Sequence, residues 1–497
     1  MGFTLNIPTV KMGIIAVSRD NFYIGLSERS SDDVYKACVR KQMNTYLCQT
    51  LVENEKDVLV AVEEAQSNGC NALIVLLGNF GPEAPETIIA QKFYGPVMYA
   101  AVAEESAERL FDGRRDTYCG MLNCSYNLDL RNVKAYISEY PVGSPEEIAN
   151  MVEKFIPIAT AFIGMKHLKV VTFGPRPKDF FACNAPIKAL YNLDIEIEEN
   201  SELDLLIAFK NHACDIRIPS VVEQMQNELG PLKYEALLPR LAQYELTLLD
   251  WMEEHKGSRT YVAFANKCWP GFQQEFGFLP CYVHSRLSAK GIPVGCETDV
   301  YGALSQYIGV CVSNAPTAIL DINNSMPEDL YRAEIAGHYP YALNDLFLGF
   351  HCGNTPITLM AECELKYKLN RKDPYASETG KEQNKGTLEG RMKTGQISYF
   401  RLQATAEGAL QAYVAQGEIL PITTKSYGCY AVFGVLGMAR FYRHVLLEKH
   451  FPHHGAVTYG NFSSTLYDFF QYLGVPYVGY NQSSNVLYQT ENPFNKV

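Results

Sequence analysis

The sequence predicts an α/β protein: two units of parallel sheet flanked by helices, then a third unit of antiparallel strands. Three observations carry this. Short apolar runs alternate with helix-length segments through the first 325 residues, and such alternation argues for parallel strands with helices on their faces. Two later runs, GIPVGCETD (291–299) and APTAILDIN (315–323), stop at acidic residues, as buried strands do when they reach a ligand-binding sheet edge. Beyond them the texture changes, and TGQISYFRLQA (394–404) and LQAYVAQGEIL (410–420) read as strands of an antiparallel sheet. A chain of 497 residues fits roughly three domains. The boundaries fall at 1–166, 167–325 and 326–497.

In chain order, MGIIAVS (12–18) reads as a strand and the segment after Ser31 as a helix. NALIVLLGN (71–79) and GPVMYAAV (95–102) are the next strands. An amphipathic helix from Pro145 to about Lys166 closes the first unit, with Ser144 ahead of Glu146 and Glu147 as its start signal. The second unit opens on KVVTFG (169–174), with further strands predicted at LDLLIAF (203–209) and RTYVAFA (259–265) and a helical region over 221–255. In the third unit FLGFHCGN (347–354) ends an apolar run, and the polar stretch from Lys366 to Lys385 reads as a long surface loop.

Composition excludes several classes. Hydrophobic residues are 47% and charged residues 20%, which rules out a disordered, collagen-like or coiled-coil chain. The formal charge of −12 gives no general attraction to nucleic acid or anionic lipid. The N-terminal segment has one short apolar run, Met12 to Val17, closed by Asp20, so no secretory signal is expected. The uncharged stretch from Val300 to Leu320 contains Ser305, Gln306, Asn314 and Pro316, and reads as helix, loop and strand of a core, not a membrane span. The 14 cysteines include no C-x-x-C pair and read as reduced thiols of a cytoplasmic protein.

Three strand ends carry candidate chemistry: Glu297 in GCETD, Asp321 in LDIN and His454 in HHGAVTYGN. Glu297 and Asp321 lie 24 residues apart, a strand–helix–strand spacing that brings both carboxylates to one sheet edge. Two carboxylates and an imidazole make a mixed oxygen and nitrogen site for a divalent ion such as Mn²⁺. From spacing alone the acids read more readily as solvated loop acids or helix caps. His351 closes another apolar run and is either a ligand or a structural histidine. His453 should point away from His454 if both lie on a strand, His338 sits in a loop, and the remaining histidines read as surface residues. Trp269, Gln273 and Gln274 in CWPGFQQEFGFLPC have the ring-plus-amide composition that binds sugars, with core packing as the alternative. The loop LGNFGPE (77–83), with Asn79 and Phe80, has glycines that let a backbone approach a ligand, although it is no dinucleotide fingerprint.

Taken together, LGNFGPE, CWPGFQQEFGFLPC, SRLSAKGIPVGCETDVYGAL, AILDIN, FHCGNTP, GTLEGRMKTGQ and HHGAVTYGN resemble, in order, the L-fucose isomerase and L-arabinose isomerase superfamily, and its fucose-isomerase-like branch in particular. The resemblance spans residues 77 to 461. It implies two Rossmann-like α/β domains followed by a C-terminal domain with an antiparallel β-barrel. It implies aldose–ketose isomerisation of an open-chain sugar through an enediol, with Mn²⁺ or another divalent ion. It carries the metal and acid–base carboxylates onto Glu297 and Asp321, and the metal histidine onto His454. His351 matches a histidine that is a metal ligand in one branch only, so it is a fourth ligand or a neighbour of one. Substrate contacts are expected at Trp269, Gln273, Gln274, Asn79 and Phe80. The range of sugars includes fucose, arabinose and 6-modified hexoses such as sulfoquinovose. A homo-oligomer, trimer or hexamer, with sites at interfaces is implied. Asn461 stands where L-fucose isomerase has a histidine, and the chain is shorter. Two other classes fit a two-unit sugar protein: a non-catalytic sugar-binding or sensor protein, and a metal-dependent sugar epimerase or lyase.

Overall fold

A computed structural model describes residues 6–111, 113–230, 234–367, 385–492 and 494. The chain falls into two compact units, Pro8–Ile163 and Gly164–Val497. Asn6 belongs with the second, where its amide donates to the carbonyls of Val262 at 3.0 Å and Gly291 at 2.7 Å.

The first unit holds strands β1 (Met12–Val17), β2 (Thr45–Leu47), β3 (Ala72–Leu77), β4 (Val97–Val102) and β5 (Tyr136–Gly143). They form an all-parallel sheet in the order β2-β1-β3-β4-β5. Every residue of β1, β3 and β4 is buried, which is why these strands are continuous apolar runs. The edge strands left no such run: β2 is short and half-buried, and β5 exposes Glu139 and Tyr140. The first helix begins at Gly25, ahead of the expected segment after Ser31. Its opening turn is built on buried serines, Ser27 bonding the carbonyl of Val17 and Ser30 that of Leu26, and in sequence these look like loop residues. Helix Pro145–Lys166 is as expected. Among the described residues it alone is long and apolar enough to cross a membrane, yet 56% of that stretch is buried in the protein, as for a core helix.

The second unit starts with β6 (Leu168–Phe173), β7 (Glu196–Asn200), β8 (Tyr261–Asn266) and β9 (Val294–Cys296), parallel in the order β7-β6-β8-β9. The expected strand at 203–209 is instead helix Glu202–Asn211. Ser201 and Asp204 form a reciprocal capping box there, and Leu205, Leu206 and Phe209 bury one helical face, so the cap decides between two readings of one apolar run. Helix Val300–Ser313 carries no charge, is buried from Val300 to Val312 and ends at Asn314 in the left-handed region, as expected of a core segment.

The remaining strands are β10 (Thr317–Ser325), β11 (Leu346–His351), β12 (Met360–Tyr367), β13 (Lys385–Met392), β14 (Gly395–Ala404), β15 (Leu410–Leu420), β16 (Cys429–Gly434), β17 (His454–Tyr459) and β18 (Tyr477–Tyr480). They make one large sheet in the order β12-β13-β16-β11-β10-β17-β14-β15-β18, with a further β15–β16 pairing. The expected antiparallel pair β14/β15 is present from Gly395↔Ile419 to Ala404↔Leu410. The sheet is mixed, however: β13 runs parallel to β16 and β15 parallel to β18. Of the stretch read as a long loop, residues 368–384 lie outside the described residues. Its flanks Lys366 and Lys385 belong to β12 and β13, which pair antiparallel. One apolar core joins Val171, Phe264, Leu320, Phe433 and Val457, so the central and C-terminal sheets pack as one body. All 14 cysteines are free thiols, most of them buried.

Candidate active site

β9 breaks after three residues, and the chain then turns through Glu297 and Thr298, both in the left-handed region at φ 59° and 60°. Neither is glycine and Thr298 is β-branched, so the turn is strained, a feature that collects at functional sites. The turn frees Asp299 to cap helix Val300–Ser313, accepting from the Gly302 N–H at 2.9 Å. A side chain at Gly302 would meet the Asp299 carboxylate at 2.6 Å, so the cap requires glycine there.

β10 lies between β11 and β17, and the ladder sets Asp321 directly opposite His454 on one side and Phe350 on the other. His351 follows Phe350 at the end of β11. His454 is 1% exposed. Its Nε2 lies 3.3 Å from Glu297 Oε2 and 3.4 Å from Asp321 Oδ1, while its Nδ1 meets Asp299 Oδ2 at 2.8 Å. The His351 and His454 rings are 5.8 Å apart, and the Cys352 N–H donates to His351 Nδ1 at 2.9 Å.

The strand rule mispredicts His453. β17 begins only at His454, so alternation does not apply, and the His453 Nε2 lies 3.8 Å from Asp321 Oδ1 on the same side as its neighbour. Phe180 packs its edge on the His453 ring at 5.5 Å, and Cys183 Sγ lies 3.7 Å from His454 Nδ1. Beneath them Arg401 of β14 grips Asp299 with both terminal nitrogens, at 2.8 and 2.9 Å. Arg401 and Asp299 are each 1% exposed.

These contacts set the charges. Burial alone would push the Glu297 carboxyl up, but His454, His351 and His453 hold it below the usual carboxylate range. Burial opposes ionisation of Asp299 too, and Arg401 and His454 overcome it, holding that carboxyl well below its ordinary value. Burial would lower His454, yet its bonds to Asp299, Cys183 and Glu297 hold it well above an ordinary imidazole. His453 is pushed down to about 4, by burial first and then by His454.

Three acids and one arginine leave two negative charges once His454 gives up its extra proton, as an imidazole must to ligate a metal, and that is the complement of a divalent cation. Glu297, His453 and His454 offer ligand atoms within 4.8 Å of one another, and so do Asp321, His351 and His454. An Nε2 facing two carboxylates while Nδ1 donates to a third is how protein histidines present themselves to a metal. The residues fit such an ion. A further cluster, His212, Asp215 and Asp250, is already filled by Arg217, which bonds both aspartates.

The expected sugar contacts fall in both units. Trp269 packs on Cys268, Leu279 and Cys281. Gln273 and Gln274 sit on helix Phe272–Phe276, half-buried and exposed respectively. In the first unit Asn79 is buried, its side chain accepting from the N–H of Arg19 at 2.9 Å and donating to Ser18 Oγ at 2.8 Å. Phe80 stacks on Phe22 and lies under Arg19. Gly78 is needed for packing, since a Cβ there would strike the backbone of Ser27 at 2.4 Å. His338 is an exposed loop residue and Asn461 is exposed. His284, read as a surface residue, is 2% exposed. Asp299 and Arg401 escaped the sequence reading. The signals were an acid two residues past Glu297 at a helix start and a lone arginine within the apolar run ISYFRLQA.

Residues 13–166 match the family model for the fucose/sulfoquinovose isomerase N-terminal domain, and residues 349–481 the model for the L-fucose isomerase C-terminal domain. The chain belongs to the fucose isomerase-like superfamily. It is a sugar aldose–ketose isomerase. A sulfoquinovose isomerase of Priestia aryabhattai is 22% identical, covering 89% of this chain and 95% of that one. One of Alkalicoccus urumqiensis is 23% identical, covering 68% and 70%. A periplasmic solute-binding protein of Actinobacillus succinogenes with bound D-allose aligns with 11% identity over 61% of this chain and 92% of that one, at a TM-score of 0.17.

Proposed function

We propose that Glu297, Asp321 and His454 hold a divalent cation, Mn²⁺ first, and that the two carboxylates isomerise an open-chain sugar through an enediol. The supporting observation is the His454 Nε2 set between both carboxylates with its Nδ1 tied to Asp299. The bound cation supplies Lewis-acid stabilisation of charge on the substrate oxygens. One carboxylate carries the proton between C2 and C1, and the other serves the neighbouring hydroxyl. These roles are assigned to Glu297 and Asp321 as a pair. His351 stands beside the ion or completes its ligand set.

The sulfoquinovose isomerases among the relatives favour that sugar over fucose and arabinose as substrate. Contacts to it are assigned to Trp269, Gln273, Gln274, Asn79 and Phe80. The same reading places the protein in the cytoplasm as a trimer or hexamer. It divides the chain at residues 166 and 325, and reads the ring of pairings through β10, β11, β14, β15, β16 and β17 as the barrel, to which the central segment lends β10. The test is a panel of aldoses assayed for ketose formation after EDTA treatment, with and without added Mn²⁺. Conversion of sulfoquinovose that requires the metal supports the reading. Undiminished conversion in the chelated enzyme, or none of any aldose, sinks it.

A further inference from the structure

The His454 ring has two faces that can hold a metal. On the Nε2 side stand Glu297 and Asp321, an oxygen-rich set. On the Nδ1 side stand Cys183 Sγ and Asp299, with ligand atoms within 4.8 Å of one another. The second set, with a thiol, an imidazole and one carboxylate, suits thiophilic ions such as Zn²⁺, whereas the first suits Mn²⁺ or Mg²⁺. Zinc generally binds nitrogen and sulfur sites more tightly than manganese does, so an open thiol face would capture the wrong ion.

Asp299 has nothing left to offer a metal. Its carboxylate accepts from His454 Nδ1 at 2.8 Å, from Arg401 at 2.8 and 2.9 Å and from the Gly302 N–H at 2.9 Å. A carboxylate has about four acceptor sites, and all are taken. The guanidinium also sets a positive charge where a second cation would have to lie. Arg401 is itself held by Gln403, whose Oε1 accepts from its Nε at 2.7 Å. Burying such a pair is costly unless its geometry is this complete, and its removal for apolar packing is often neutral, so stability alone gives little reason for it.

We propose that Arg401 is a metal-selectivity residue: by saturating Asp299 it closes the Cys183 side of His454 to thiophilic ions and leaves the carboxylate side of that ring to hold the metal. This rests on the metal reading of Glu297, Asp321 and His454. No thiolate–metal bond forms while the arginine is in place. In Arg401→Gln the freed carboxylate, the imidazole Nδ1 and Cys183 take the ion, the thiol and the Nδ1–H each releasing a proton to solvent.

Co²⁺ reports this directly, because a thiolate ligand adds a near-ultraviolet charge-transfer band. We expect no such band in the Co²⁺-loaded wild type, and Co²⁺ affinity unchanged in Cys183→Ser. Arg401→Gln gains the band, loses it again when combined with Cys183→Ser, and shifts its preference for Zn²⁺ over Mn²⁺ upward by at least about tenfold, while Arg401→Lys shifts it less. A thiolate band in the wild type that disappears in Cys183→Ser overturns the proposal, and this arm decides even if Arg401→Gln does not fold. A folded Arg401→Gln without the band also overturns it, leaving the metal reading intact. A wild type that binds neither Co²⁺ nor Mn²⁺ overturns both.

Discussion

His284 and His454 are both removed from water and lie in the same unit, yet their surroundings drive them in opposite directions. His284, on helix Cys281–Ala289, faces the Tyr244 hydroxyl at 3.3 Å, and Tyr244 packs among Phe272, Phe276 and Phe278. Burial alone pushes that imidazole down to about 3, so it stays neutral. His454 pays the same burial penalty and is raised by the carboxylates around it. Burial therefore marks neither histidine as functional. The difference lies in whether charge of the opposite sign is delivered to the ring, and here the Glu297–Asp299 turn and Asp321 of β10 deliver it.

The comparison breaks first at the carboxylates. Glu297→Gln and Asp321→Asn are expected to cut kcat on the best aldose by at least about 10²–10⁴-fold while circular dichroism stays native, since each loses a base and keeps its shape. Near-normal turnover in either would remove that residue from the chemistry. Next come the histidines, read by Mn²⁺ titration. His454→Ala should leave almost no bound metal, His351→Ala should weaken binding about 10–100-fold and be rescued by excess ion, and His284→Gln should leave affinity unchanged. Equal loss at 351 and 454 would make His351 a full ligand.

The third test is stability against pH. His284 has a folded pKa near 3, below its unfolded value of about 6.5, so between these the unfolded chain binds the extra proton. Stability then rises with pH, and the contribution is lost as pH falls from about 6.5, by up to about 1.4 kcal/mol per pH unit. Urea melts from pH 7 to pH 4 should show a shallower slope in His284→Gln, and an unchanged slope would mean the ring is not the buried neutral base described. The smallest effect is expected at a helix cap. Ser201→Ala removes the cap of helix Glu202–Asn211 and should cost about 1 kcal/mol with no change in kcat. No loss of stability would remove the cap as the reason this run is helical.

The sequence made some of this legible for identifiable reasons. β1, β3, β4 and β8 are buried on both faces, so their apolar runs stand out; Glu297 follows such a run, Asp321 closes one and His454 opens one, although Glu297 and Asp321 come from two different sheets and not from the one sheet edge expected. What stayed hidden depended on tertiary neighbours. The 203–209 run is helical because of a cap just ahead of it, and the start of helix Gly25–Arg40 is masked by serines that bond backward. His453 and His284 could not be placed because a histidine in sequence does not reveal where a strand begins or which aromatics surround it. Asp299 and Arg401 are 102 residues apart, and no local pattern connects them.

The pairing of Asp321 with His454 across two antiparallel strands acts as a parity lock. One residue inserted in β10 ahead of Asp321 would turn the carboxylate to the opposite side of the sheet. Two would restore the side but slide it about 7 Å along the strand, beyond reach of the imidazole. Length changes within β10 and β17 are therefore forbidden in odd and even steps alike, for different reasons. Variation in this lineage, natural or engineered, is channelled into the segments that join the strands, and the distance between the two residues along the chain is free to drift.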